Sequence, residues 1–186
     1  MARIAYPPTE LVPTELAAML DEMPKVAPTS MLAHSPGLAQ QVLRMTQTQF
    51  TELELSLRHR ELLILTVAAL VDCEYEYRQH VPISMDAGIK PALRVAIWEG
   101  VVDPDELTDS ERALLEFIAE VVASPRVPDS TMGSVASHFS EREVVEILQL
   151  IGFHWGFGRL CTVLDIEIET PDGLTAINAV ANLSGR

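Results

Sequence analysis

Four chemically active side chains fall on one face of a predicted helix in the first half of the chain. The helix begins near Cys73, and the other three follow three, four and seven residues later: Glu76, Tyr77 and His80. At about 100° per residue, the four lie within about 100° of one another around the helix. A thiol, a carboxylate, a phenol and an imidazole can supply a nucleophile and groups that donate or accept protons. We therefore predict that this face lines a functional pocket.

The preceding helix contributes a further candidate, Glu61. This residue stands in the segment RHRELLILTVAALV, which is apolar on nearly every side, as is typical of a buried helix. A carboxylate there either points to solvent beside Arg58 and Arg60 or faces a polar pocket. Buried polar groups are costly unless they are paired, and simple pairing within the cluster is the alternative to a functional role.

Helices are predicted along most of the chain to position these residues. Several starts carry capping signals, such as Ser56 and the pair Ser140 with Glu143 in a capping box, and Asp72 is the predicted cap of the helix that begins at Cys73. The predicted helices span residues 14–23, 36–50, 57–71, 73–87, 90–98, 109–123, 130–138 and 141–164. A short alternating segment, IEIET, is the one weak strand signal. We predict an all-α fold.

The composition limits the classes of partner and location. The chain has 186 residues and a net charge of −14, and its 13 Lys and Arg are scattered, which argues against nucleic-acid binding. We find neither an apolar run that could span a bilayer nor a basic membrane-binding helix. The start resembles no secretory signal, and two cysteines 88 positions apart make no disulfide framework. We expect a cytoplasmic protein with a large apolar interior or subunit interface.

Proline distribution divides the chain. Many of the prolines lie in the first 30 residues, around one short predicted helix. We therefore predict an N-terminal arm over residues 1–30 and a single helical domain over residues 31–170. A less regular C-terminal tail is predicted over residues 171–186.

The chain resembles the carboxymuconolactone decarboxylase family, which includes the AhpD-like alkylhydroperoxidases. The resemblance rests on RxxELLILxVAAL, then Cys73, then His80 in a QHV context, and it extends over about residues 30–169. Its most specific part is the spacing, since Glu61 stands twelve residues before Cys73 and His80 stands seven after it. The resemblance implies an AhpD-like helical bundle, a small-molecule substrate, and a homodimer or a higher oligomer built from dimers.

One position departs from the pattern of the AhpD-like proteins. Those proteins carry a C-x-x-C pair whose two thiols form a disulfide, and Glu76 replaces the second cysteine here. A two-thiol cycle would need Cys161 as the resolving thiol, and nothing in the sequence places that residue nearby. We expect Cys161 to belong to the core.

Four functions remain open from the sequence. The first is a single-cysteine, thiol-dependent peroxidase or related oxidoreductase that uses Cys73 with Glu61 and His80 and needs an external reductant. The second is a lyase, decarboxylase or isomerase for a small carboxylate or lactone, with His80 as general acid or base. Neither needs a cofactor, and we expect none. The third is a metal site on Glu76 and His80, with Glu61 and Cys73 as further ligands. The fourth is a non-catalytic, ligand-binding protein.

Substrate contacts are predicted beyond these catalytic candidates. Tyr77 and His154 are predicted to line the pocket, and Arg159 or Arg58 to hold a substrate anion. The segment GFHWGFGRL around His154 contains three glycines. Glycine weakens a helix by about 1 kcal/mol relative to alanine, so we expect these glycines to permit close helix packing.

Overall fold

A computed structural model describes residues 1–22 and 26–169. Over these residues the fold is all-α, as predicted, and no strand is present. The α-helices are α1 (Thr14–Glu22), α2 (Ala27–Leu32), α3 (Pro36–Thr51), α4 (Leu57–Leu70), α5 (Glu74–Asp86), α6 (Pro91–Glu99), α7 (Asp109–Ala123), α8 (Asp129–Ala136) and α9 (Glu141–Val163). Short 3₁₀ helices span Thr9–Leu11 and Pro104–Glu106. Within the described ranges, no helix is both long enough and apolar enough to cross a membrane.

The chain divides into two compact units. One unit is Glu54–Thr162, and the other combines the described residues of Met1–Leu53 with residues 163–169. The predicted boundaries of the N-terminal arm and of the helical domain stay predictions. The predicted tail over residues 171–186 lies outside the described residues.

In the unit that contains the N-terminus, α1 and α2 pack against α3. Its buried core is formed by Leu16, Ala33, Ala39 and Leu43. The sequence analysis does not predict α2, because Pro28 adds to the proline-rich pattern of the arm. In the structure Pro28 lies in the first turn of α2, where a missing N–H group costs no helical hydrogen bond.

In the unit Glu54–Thr162, α4 is the buried centre and packs against α5, α6 and α7. Its fully buried aliphatic side chains are Leu62, Leu63, Ile64, Leu65 and Val67. Each contributes about 1.5–3 kcal/mol by leaving water, which explains why α4 is apolar on almost every side. The consequence is that any polar side chain of α4 that points inward must find a partner inside the protein.

Helix ends confirm most of the predicted caps. Ser56 accepts a hydrogen bond from the His59 N–H, and Ser140 with Glu143 forms the predicted capping box. The prediction that Asp72 caps α5 is wrong by one residue. Asp72 has φ +54°, a left-handed conformation that aspartate tolerates, and it turns the chain so that Cys73 becomes the N-cap.

Candidate active site

Helices α4 and α5 bring Glu61 and His80 into direct contact. His80 Nδ1 donates a hydrogen bond to Glu61 Oε2 at 2.8 Å, and the Glu61 side chain has no exposed surface. On its other oxygen, Glu61 accepts a hydrogen bond from Arg60 Nε at 3.1 Å. Glu61 therefore faces a polar interior and not the solvent, which answers the question that the sequence leaves open.

Helix α9 adds His154 to the same group. Glu76 Oε2 lies 3.3 Å from His154 Nδ1 and 3.6 Å from His80 Nε2. The two imidazole rings stand nearly perpendicular, with centroids 5.7 Å apart. We call Glu61, Glu76, His80 and His154 the imidazole–carboxylate cluster. The sequence predicts all four as site residues, and the structure brings them together; their catalytic or binding roles stay predictions.

Opposite charges set the protonation of this cluster. Burial acts to raise the pKa of Glu61, but the charge and hydrogen bond of His80, with help from Arg60, hold that pKa below its ordinary value. Burial also acts to raise the pKa of Glu76, and the two histidines outweigh it. Burial acts to lower the pKa of His80, yet the two carboxylates raise it above the ordinary value. His80 therefore keeps its proton to a higher pH than a free imidazole.

Cys73 lies at the start of α5, one turn before Glu76, and is fully buried. Gly158 of α9 packs directly against it, since a Cβ atom at Gly158 would lie 3.4 Å from Cys73 Cβ and 3.6 Å from its sulfur. Close contact between α9 and the start of α5 is therefore possible because position 158 has no side chain.

The sulfur of Cys73 accepts a hydrogen bond from the Cys161 thiol, and this contact is the main cause of a lowered Cys73 pKa. Burial opposes it. The N–H groups of Tyr75 and Glu76 also lower the pKa of the thiol, although neither makes a cap hydrogen bond of normal geometry, while the Glu76 carboxylate raises it. The net effect is a Cys73 pKa below the ordinary value of a cysteine. We call Cys73 and Cys161 the thiol pair.

Sequence reasoning missed the position of Cys161. It is buried, as expected of a core residue, but it touches the predicted nucleophile. Cys161 follows His154 by seven residues and Gly158 by three, so all three share one face of α9. A helical wheel centred on His154 could have placed Cys161 on the same face of α9 as that site residue.

Tyr77 and Arg159 lie beside the site with other neighbours. The Tyr77 ring packs against Trp98 of α6, with centroids 4.7 Å apart. Arg159 is exposed, donates a hydrogen bond to the Val71 carbonyl at 3.2 Å and lies over the Trp155 ring. Their roles in substrate binding stay predictions.

Arg58, the second candidate for a substrate anion, is engaged elsewhere. Its Nε donates to Glu111 at 2.6 Å and its Nη1 donates to the Gly88 carbonyl at 2.8 Å. These two bonds link α4 to α7 and to the end of α5. The contacts favour a structural role for Arg58.

The glycines of α9 differ in their surroundings. A Cβ atom at Gly158 would lie 3.1 Å from Val71 Cγ2, so the expected close packing is present there. At Gly152 and Gly156, a Cβ atom would meet no described atom within 4 Å, and both residues are exposed. Among the described residues of one chain, no close packing is present at these two positions, and the expectation of packing at a subunit interface stays a prediction.

Three members of the imidazole–carboxylate cluster could hold a metal ion. The ligand atoms of Glu76, His80 and His154 all lie within 4.8 Å of one another. The arrangement as a whole thus offers a thiol with a second thiol beside it, a proton-carrying imidazole and a set of three metal-ligating groups.

Comparison with known families identifies one match. Residues 36–120 match the model of the carboxymuconolactone decarboxylase family. This range contains the site residues of α4 and α5 and ends before α9. No curated protein is significantly similar to the chain.

Solved structures share the fold. The alkylhydroperoxidase AhpD core of an uncharacterized peroxidase-related protein from Ralstonia eutropha JMP134 has 19% identity and a TM-score of 0.75, covering 90% of this chain and 92% of its own. An uncharacterized peroxidase-related protein from Silicibacter sp. TM1040 has 18% identity and a TM-score of 0.76, with 94% of each chain covered. A cysteine-to-alanine variant of the debrominase Bmp8, in complex with 2,3,4-tribromopyrrole, has 14% identity and a TM-score of 0.69, covering 97% of this chain and 96% of its own.

Proposed function

Over residues 36–120 the chain belongs to the carboxymuconolactone decarboxylase family, and from this premise we propose that it is a thiol-dependent peroxidase. The observation that carries the proposal is the position of Cys161 on α9, one turn after Gly158, whose backbone packs against Cys73. In addition, hydrogen bonding with the Cys161 thiol is the main cause that lowers the pKa of Cys73. Glu76 occupies the position of the second cysteine of C-x-x-C, and Cys161 offers a thiol from another helix in its place. The peroxidase-related proteins that share the fold support the same class of reaction.

In the first step the Cys73 thiolate attacks the terminal oxygen of a hydroperoxide. The S–O bond forms as the O–O bond breaks, leaving Cys73 as a sulfenic acid and the product as an alkoxide. His80 gives its proton to the alkoxide, directly or through water, and an alcohol leaves. Glu61 orients the imidazole through the 2.8 Å hydrogen bond and stabilises its charge.

In the second step Cys161 resolves the sulfenic acid. Its sulfur attacks the sulfur of oxidised Cys73, a disulfide forms, and the hydroxyl leaves as water with the proton of the Cys161 thiol. An external dithiol then reduces the disulfide by exchange and is itself oxidised. Two electrons thus pass from the dithiol to the hydroperoxide.

A single-turnover experiment tests this cycle. The reduced, metal-free full chain receives one equivalent of cumene hydroperoxide, and free thiols and alcohol are counted. We expect one alcohol per chain and the loss of both thiols of the two-cysteine sequence. Cys73→Ser should yield no alcohol above buffer.

Cys161→Ser is the matched variant. It should still release one alcohol, but its Cys73 should remain a sulfenic acid that dimedone traps. Turnover with a dithiol should slow about tenfold or more, because an intramolecular thiol has a high effective concentration. Hydroperoxide consumption by Cys73→Ser at the parent rate would reject the peroxidase function.

The imidazole–carboxylate cluster favours a second candidate, acid–base chemistry on a small carboxylate or lactone. Glu61 and Glu76 flank His80, and this arrangement can move a proton without any thiol. A screen of lactones and 2-carboxy lactones separates the two candidates. Activity that survives Cys73→Ser and disappears in His80→Ala would select the lyase.

We also propose that the chain forms a homo-oligomer through an exposed stripe of α9. Val145, Leu148 and Trp155 are 58%, 40% and 45% exposed, and Gly152 and Gly156 lie between or beside them without contacts from described residues. Two small residues four positions apart allow the backbones of two helices to approach closely. Light scattering should give at least a dimer, and Leu148→Glu should shift it to monomer; a monomeric parent would refute this.

A further inference from the structure

The cluster holds three potential ligand atoms at separations that suit a single cation. Glu76 Oε2 is 3.3 Å from His154 Nδ1 and 3.6 Å from His80 Nε2. A metal bound at about 2.0–2.2 Å from nitrogen and oxygen ligands in tetrahedral geometry keeps those ligands about 3.4 Å apart. Two of the three pairs are thus already spaced for a metal, and the third lies within 4.8 Å.

The neighbour of His80 prepares it as a ligand. His80 donates its Nδ1 proton to Glu61 Oε2, so a neutral His80 presents the Nε2 lone pair toward Glu76. A carboxylate that holds the second nitrogen of a metal-bound histidine is a common feature of metal sites, where it fixes the tautomer and raises the basicity of the ligand. Arg60 in turn pairs with Glu61.

The negative charges of two buried carboxylates also favour a bound cation. Glu61 and Glu76 are 0% and 4% exposed, and Arg60 pairs with Glu61. A divalent ion held by Glu76 and the two imidazole nitrogens would supply positive charge beside these carboxylates, whose burial without a counter-charge is costly.

We propose that Glu76, His80 and His154 bind one divalent transition-metal ion of the Zn²⁺ class. Two imidazole nitrogens and one carboxylate oxygen suit Zn²⁺, Co²⁺ or Fe²⁺ better than Mg²⁺ or Ca²⁺, which prefer oxygen. Three protein ligands leave a coordination position for water or substrate, as in catalytic zinc sites. This inference goes beyond the peroxidase and does not depend on it, since metal binding is measured without hydroperoxide.

Metal titration tests the site. The full chain is treated with chelator, kept reduced, and titrated with Zn²⁺ against a chromophoric competitor. We expect one ion per chain. Glu76→Gln and His154→Gln should each weaken binding about tenfold or more. Exposed Glu116→Gln serves as the control and should bind as the parent does.

The thiol pair must be separated from this site, because thiolates also bind Zn²⁺. The double variant Cys73→Ser/Cys161→Ser should keep the parent affinity, and the Co²⁺ complex of the parent should lack the near-ultraviolet absorption of a sulfur ligand. Binding that follows the cysteines, or parent affinity in both ligand variants, would overturn the proposal. So would the absence of binding at millimolar Zn²⁺. Circular dichroism checks each fold, and His154→Gln carries the test if Glu76→Gln is unfolded.

Discussion

The thiol pair and the imidazole–carboxylate cluster both join α5 to α9 in the protein interior, but they differ in charge. Reduced thiols are small and nearly apolar, so burying Cys73 and Cys161 costs little. The cluster buries two carboxylates and balances them with imidazoles and a guanidinium. The comparison teaches that reduced thiols can be buried at little cost in stability, whereas the protonation of the buried carboxylates and imidazoles is tied to folding.

Glu76 connects the two regions. Its carboxylate contacts His154 and raises the pKa of Cys73, while its N–H group lowers that pKa. Neutralising Glu76 with a proton or a metal ion would therefore favour the Cys73 thiolate. We therefore expect the pKa of Cys73 to depend on whether the Glu76 carboxylate is neutralised.

The largest expected difference between the regions is in stability. Glu61→Gln removes the charge that faces Arg60 and His80, and leaving buried charges without a partner costs about 3–5 kcal/mol. Cys161→Ala should cost about 1 kcal/mol. The free energy of unfolding in urea, measured under reducing conditions, checks both values.

Exposed Glu116→Gln is the control for this pair and should change stability by less than about 0.5 kcal/mol. An equal loss in the free energy of unfolding for Glu61→Gln and Cys161→Ala would contradict the expected difference between the cluster and the thiol pair.

A second difference is the dependence of stability on pH. The raised pKa of His80 gives stability that is complete below the pKa of an unfolded histidine and is lost as the pH rises through the folded value. The lowered pKa values of Glu61 and Glu76 give stability that is lost as the pH falls through the folded carboxyl values. The melting temperature should therefore decline on both the acid and the alkaline side.

His80→Gln should flatten the alkaline decline, because glutamine does not titrate. Cys73→Ser should leave that decline in place. An alkaline decline that is as steep in His80→Gln as in the parent would show that another group causes it.

The smallest expected effect is on thiol reactivity. Cys161→Ala removes the hydrogen-bond donor that chiefly lowers the pKa of Cys73, so the pH midpoint of Cys73 alkylation should rise. Cys161→Ser keeps a donor and should shift the midpoint less. Mass spectrometry of alkylated Cys73 across pH gives both midpoints, and an unchanged midpoint in Cys161→Ala would argue against the thiol contact.

Much of the fold follows from local patterns. Proline and serine signals place the starts of α3, α4 and α9, and the continuous apolar segment around Glu61 predicts a buried α4. Errors occur where local rules compete. Pro28 makes the segment of α2 look like part of the proline-rich arm, so the sequence analysis does not predict that helix. Asp72 has the residue type of a helix cap, but its left-handed φ makes it part of the turn before Cys73.

The sequence by itself determined the all-α class, the burial of α4 and the spacing of Glu61, Cys73 and His80, because each depends on residues close together along the chain. Only the tertiary structure decided that α9 turns His154 toward Glu76 and Cys161 toward Cys73. Those contacts join residues 78 and 88 positions apart. They depend on the rotation and distance of one packed helix relative to another, which helical periodicity does not specify.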